Sequence, residues 1–186
     1  VIGLLLAAGA GRRMGRAKAL VTGPDGVSFV ERGIAALRHG GCHPVVVVLG
    51  AEAKRVRPLA AAADRIVEAG DWAAGQSSSV RAGLDGVADL DAYAVCLLLV
   101  DLPDVGADVV RRVREAAGDG PTVLARAAYD GVPGHPVVIG RDHVADLLET
   151  LSGDTGARGY LASHDVLLVE CGDLATGRDV DRPQDL

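Results

Sequence analysis

The chain has 186 residues, with 25 acidic and 19 basic side chains and a formal net charge of −6. That length allows one domain with a full core, and 49% apolar residues exclude a disordered polyelectrolyte. An acidic chain is a poor nonspecific nucleic-acid binder, and no stretch supplies the ~20 consecutive apolar residues of a membrane span.

Aromatic residues make up only 3% of the chain, so Ala, Val and Leu must build the core. The first run, 1–7, is continuous rather than alternating and reads as a strand buried on both faces. Its arginines follow the apolar stretch instead of preceding it, which argues against a leader core. Similar runs recur at 44–49, 94–100, 121–125, 136–139 and 166–169. Helical spacing separates them: Phe29, Val30, Ile34 and Leu37 share a face within 28–39, Val109, Val110 and Val113 within 107–117, and Val144, Leu147, Leu148 and Leu151 within 142–151. Strand–helix alternation predicts a three-layer α/β/α fold on a mostly parallel sheet, one domain over 1–186, with its ligand site at the carboxyl ends of the strands. The stretch 127–135, "AAYDGVPGH", breaks the alternation and predicts an irregular excursion or hairpin over that site. Cys42, Cys96 and Cys171 are odd in number and far apart, which fits neither a disulfide framework nor a zinc ribbon. A reduced, cytoplasmic setting is expected.

Chemistry concentrates in a few places. The segment "LLLAAGAGRRMGRAKAL" ends a strand in a glycine-rich loop carrying Arg12, Arg13, Arg16 and Lys18. Gly9, Gly11 and Gly15 permit positive φ and close approach of backbone N–H groups to an anion. It is not a P-loop, because Arg-Ala-Lys-Ala follows Gly15, and its cations oppose the helix dipole that a dinucleotide fingerprint uses. A polyphosphate suits it better. The chain has only two lysines, Lys18 and Lys54, so a lysine here suggests a point-charge role.

The run "CLLLVDLPDV" places Asp101 at a strand's carboxyl edge, with Pro103 stopping the strand and Asp104 expected to cap the next helix. A carboxylate facing a phosphate loop implies a bridging cation, and Mg²⁺ takes one or two carboxylates plus phosphates. Asp179 and Asp181 alternate around Val180, and Asp181 is the candidate second metal ligand or, equally, a cap for a short helix begun by Pro183. Ser77, Ser78 and Ser79 open a helix and offer either caps or contacts to a base or ribose. His135 and Arg158 are candidates for a second, anionic substrate.

Together these segments resemble one family. The loop follows L-A-[AG]-G-x-G-x-R-M-G-x-x-K, the signature of nucleotidyltransferases with a GT-A-like fold. "DWAAGQSSSVRAGL", "VDLPDV", "GHPVVIGRD", "SGDTGARGYL" and "DVDRPQDL" follow in order, and the "GHPV…GDTGAR" pair is similar to the molybdenum cofactor cytidylyltransferases. The resemblance implies Mg²⁺-dependent transfer of a nucleoside monophosphate, CMP from CTP, onto the phosphate of molybdopterin, with a molybdoenzyme as downstream partner. It implies a nucleotide site of Leu6, Ala7, Ala8, Gly9, Gly11, Arg12, Arg13, Met14, Gly15, Lys18, Ser78, Ser79 and Asp101. Arg12, Lys18 and Asp101 would be catalytic, Asp101 and Asp181 metal ligands, and His135 and Arg158 acceptor contacts. CTP is expected over GTP because Ala8 stands where guanylyltransferases carry glycine. Two other readings stay open, a nucleotidyltransferase for a sugar phosphate or other small phosphate and a nucleotide-binding chaperone that delivers cofactor; a dinucleotide-dependent dehydrogenase is more distant, because Glu31 is at about the right distance for its ribose acid but falls inside a predicted helix.

Overall fold

The computed structural model describes residues 1–186. A seven-stranded sheet carries β1 (Ile2–Ala7), β2 (Val45–Leu49), β3 (Arg65–Glu68), β4 (Ala94–Leu99), β5 (Leu124–Tyr129), β6 (Val132–Gly140) and β7 (Leu167–Glu170). Their order is β3-β2-β1-β4-β6-β5-β7, and β6 alone runs antiparallel to its neighbours. The expected three-layer α/β/α architecture is therefore present. Helices α1 (Phe29–His39), α2 (Ala53–Val56) and α4 (Ala107–Ala117) pack one face. Helices α3 (Gln76–Asp85), α5 (Val144–Thr150) and α6 (Arg158–Ala162) cover the other. No helix is long and apolar enough to cross a membrane.

Every residue of β1 and β2 is buried. Period-2 alternation splits β1 between the layers: Leu5 and Ala7 face α1, whereas Ile2, Leu4, Leu6 and Ala8 face α3. The chain proceeds from β1 outward through β2 to β3, then returns to lay β4 on the other side of β1. That reversal opens a crevice at the carboxyl ends of β1 and β4, where ligands of open α/β sheets collect.

One strand escapes the sequence reading and one boundary needs correction. The strand β3 has no long apolar run and was not legible; it is a short edge strand with charged ends. The apolar run at 121–125 begins the strand too early, since β5 starts at Leu124 and continues to Tyr129. The stretch 127–135 takes the hairpin form of its expectation: Tyr129 pairs with Val132 at the tip of a β5–β6 hairpin whose register shifts between Arg126 and Ala128.

Helix α1 starts at a reciprocal cap: the Glu31 amide donates to Ser28 Oγ, and Glu31 Oε2 accepts from the Ser28 amide at 2.9 Å. Ser28→Ala should therefore lower stability by about 1 kcal/mol, read as a shift of the urea midpoint at constant m-value.

Candidate active site

The glycine-rich loop leaves β1 at Ala8 and folds back on itself. The amides of Met14 and Gly15 both donate to the Gly11 carbonyl at 2.9 Å. Gly11 sits at φ +57, and a Cβ there would lie 2.0 Å from the Arg16 carbonyl oxygen. Glu52 ties down the far end by accepting from the Ala17 amide at 2.9 Å. In contrast, no backbone N–H from Gly9 to Arg13 donates to any acceptor in the protein. Five successive amides without a protein acceptor thus stand beside the Arg12 and Arg13 side chains on the cleft wall. Gly11→Ala is expected to cost ~1–3 kcal/mol of stability as well as nucleotide affinity. Gly9→Ala, whose Cβ would meet nothing within 4 Å, should leave Tm unchanged and affect only the ligand.

Across the crevice, the C-terminal segment lies alongside the end of β4, where the Val180 amide donates to the Asp101 carbonyl at 2.9 Å. This brings Asp101 and Asp181 together on Lys18. Lys18 Nζ is 2.7 Å from Asp101 Oδ2 and also pairs with Asp181 Oδ1, while Arg13 reaches Asp181 Oδ2 at 3.0 Å. The Lys18 and Asp101 side chains are only 15% and 20% exposed. Burial works to lower the Lys18 pKa, but the two carboxylates outweigh it and the net shift is upward. The hydrogen bond from Lys18 holds Asp181 below the ordinary carboxylate value. Asp179 moves the other way, raised by desolvation and by the negative charge of Asp101.

Between these two walls lies a cleft of about 430 Å³. Leu6, Ala8, Gly9, Gly11, Arg12, Arg13, Lys18, Ser79, Asp101 and Asp181 line it, so most of the residues expected at the site converge. Four do not. Ala7 points to the opposite face of the sheet, and Met14 is buried in the core beneath the loop. Gly15 is exposed away from the cleft lining. Ser78 turns its hydroxyl to the carbonyls of Asp71 and Gly75 and faces a neighbouring depression. Ser77 is a structural clamp: its Oγ donates to the Ser152 carbonyl at 2.9 Å and accepts from the Gly156 amide at 3.1 Å. That clamp holds the loop carrying Asp154 against the start of α3. Asp104 does not cap α4, because its carboxylate is occupied by the Thr176 amide and hydroxyl.

Trp72, Gln76 and Asp154 also line the cleft and were not assigned from the sequence. Asp154 comes from a distant segment, joined to the start of α3 by the Ser77 clamp, by the Ser77 amide donating to the Gly153 carbonyl at 3.0 Å and by the Gln76 amide donating to Asp154 Oδ1 at 3.3 Å. His135 and Arg158 lie outside this lining but are neighbours of each other. Burial, with the positive charges of Arg126 and Arg158, pushes the His135 pKa down to about 4.

The family model of the MobA-like NTP transferase domain matches residues 3–167. The chain belongs to this family. Among curated relatives, nicotine blue oxidoreductase of Paenarthrobacter nicotinovorans is 38% identical over 191 aligned positions, covering 97% of this chain and 92% of that protein. The molybdenum cofactor guanylyltransferase of Rhodobacter capsulatus is 33% identical, covering 77% of this chain and 65% of that protein. A solved homolog of Mycobacterium tuberculosis Rv0371c, from Mycobacterium sp. strain JC1, overlays with a TM-score of 0.80 at 28% identity over 99% of this chain and 91% of the other. Rv0371c itself, solved in complex with manganese, overlays at 0.76 with 25% identity over 99% and 94%.

A hard divalent cation suits this MobA-like site on its own donors. Two carboxylates already converge on a single positive charge, that of Lys18. No group of three acidic, His or Cys side chains is arranged to cage a metal. Mg²⁺ and similar ions bound by one or two carboxylates complete their shells with substrate phosphate and water, so two convergent aspartates are a fitting donor set.

Proposed function

We propose that the protein is a nucleotidyltransferase that moves a nucleoside monophosphate from its triphosphate to a phosphorylated acceptor. The observation that carries this reading is the run of free N–H groups from Gly9 to Arg13 opposite the Lys18–Asp101–Asp181 cluster. The loop and Arg12 would cradle the triphosphate, and Lys18 would neutralise charge gathering on the α-phosphoryl group. Asp101 and Asp181 would hold Mg²⁺, which supplies further charge neutralisation at the phosphates when bound. An oxygen of the acceptor phosphate attacks the α-phosphorus, the bond to the bridging oxygen breaks, and pyrophosphate departs with its electron pair. The acceptor is already an anionic nucleophile, so the protein's work is positioning and electrostatic stabilisation.

Molybdopterin is the proposed acceptor, in keeping with the named activity of the guanylyltransferase relative. CTP is the proposed donor, because the Ala8 methyl forms part of the cleft wall beside Gly50 and Trp72. The guanylyltransferase relative supports GTP as the alternative. Competition binding of CTP and GTP to the wild type and to Ala8→Gly separates the two. Tighter CTP binding that shifts toward GTP in the variant supports the methyl argument, and an unchanged ratio rejects it.

A second reading, an oxidoreductase, is favoured by the full-length likeness to nicotine blue oxidoreductase. The same loop would then bind the pyrophosphate of a dinucleotide. Glu31 would not serve its ribose, since that carboxylate is committed to Ser28. Oxidation of NADH or NADPH by an added dye, with no pyrophosphate formed from any triphosphate, would select this reading.

A further inference from the structure

Arg126 stands in the interior of the sheet, on β5, paired with Val137 of β6 and Leu168 of β7. Strand alternation puts it on the same face as Leu124, under α5 and α6. Its side chain is partly buried, yet no carboxylate lies within ion-pairing distance. Its Nε donates to the Gly134 carbonyl at 3.1 Å, which fixes the guanidinium and leaves its terminal nitrogens without a protein partner. Arg158, at the start of α6, is likewise unpaired. Arg38, Arg65 and Arg112, by contrast, each have an aspartate. A half-buried guanidinium without a counter-charge is costly, and repulsion from a second one adds to the cost. A mobile dianion removes both costs.

The cluster is continuous with the cleft. The β4–β6 register ends at Leu97↔Val137, and each strand runs on past that pair, β4 to Leu99, which lines the cleft, and β6 through His135. The Tyr129 hydroxyl donates to the His135 carbonyl at 2.6 Å and orders that backbone. Arg158 lies two residues after Gly156, whose amide donates to Ser77 Oγ at 3.1 Å and which packs on Gln76 of the cleft lining, so the start of α6 is anchored at the cleft edge as well.

We propose that Arg126, flanked by His135 and Arg158, is the seat for the phosphate monoester of the acceptor and fixes that phosphate for attack. Arg126 is the anchor, because it alone is held rigidly by the sheet, and a planar fork suits a phosphate. The assignment rests on the nucleotidyl-transfer reading, which makes one substrate a phosphate monoester distinct from the triphosphate.

The test is calorimetry with phenyl phosphate as probe, in the presence of saturating Mg²⁺ and α,β-methylene-CTP. The wild type should bind the probe, and Arg126→Gln should weaken it at least tenfold with nucleotide affinity unchanged. Arg126→Lys should recover part of the loss. Arg158→Gln, at an exposed position, should also weaken the probe, with Tm matching the wild type. Occupancy should raise the His135 pKa from about 4, followed by NMR titration of its ring. Unchanged probe affinity in both glutamine variants overturns the proposal, and so does an equal loss of nucleotide, which would assign the cluster to the triphosphate. Probe binding in a wild type that binds neither CTP nor GTP would keep the phosphate seat and remove the nucleotidyl-transfer reading instead.

Discussion

Asp101→Asn should remove turnover while the fold stays intact. The change is nearly isosteric, Lys18 keeps its second partner in Asp181, and the backbone bond from Val180 to the Asp101 carbonyl is untouched. What is lost is one of the two negative charges that would hold the proposed cation. Loss of a metal's contribution in such a site is worth several kcal/mol, so turnover should fall by at least ~10³-fold. Far-UV dichroism and thermal melting should match the wild type. Wild-type turnover in this variant would take Asp101 out of the metal site.

Lys18→Ala should raise the barrier by roughly 3–4 kcal/mol, the scale of removing one transition-state charge stabiliser. That corresponds to about 10²–10³-fold in kcat/KM. The structure adds a second, opposite expectation. In the nucleotide-free protein, Lys18 occupies the point on which Asp101 and Asp181 converge, so the ammonium competes with any divalent cation for their charge. Removing it should therefore tighten binding of Mn²⁺ alone, measured by paramagnetic relaxation of water, even as catalysis collapses. The Asp181 pKa should also rise toward its ordinary value once that hydrogen bond is gone. A variant with weaker Mn²⁺ binding would show that Lys18 organises the carboxylates rather than standing in for a cation.

The parts of this molecule that the sequence discloses are those where local chemistry dictates structure. β1 reads as a buried strand because a continuous apolar run has no other stable use, and the loop after it reads as an anion site because glycines and cations coincide. Asp101 is visible for the same reason, as an acid that ends an apolar run before a proline. β3 is not visible, since a four-residue edge strand needs neither full burial nor apolar ends. Asp104 misleads because its position suggests a helix cap, whereas a threonine far along the chain takes its carboxylate. Ser77 and Ser78 look equivalent in sequence but diverge in space, one clamping a distant loop and the other bonding its own turn. Arg126 falls between the apolar run 121–125 and the stretch 127–135, and its lack of a charged partner is a property of the folded surroundings alone.

The most direct measurement is pyrophosphate release by the purified protein with Mg²⁺ and molybdopterin, comparing CTP, GTP, ATP and UTP. The account predicts stoichiometric pyrophosphate with one triphosphate, CTP before GTP, and none with Asp101→Asn. Absence of pyrophosphate with all four, together with no measurable triphosphate binding, would contradict it.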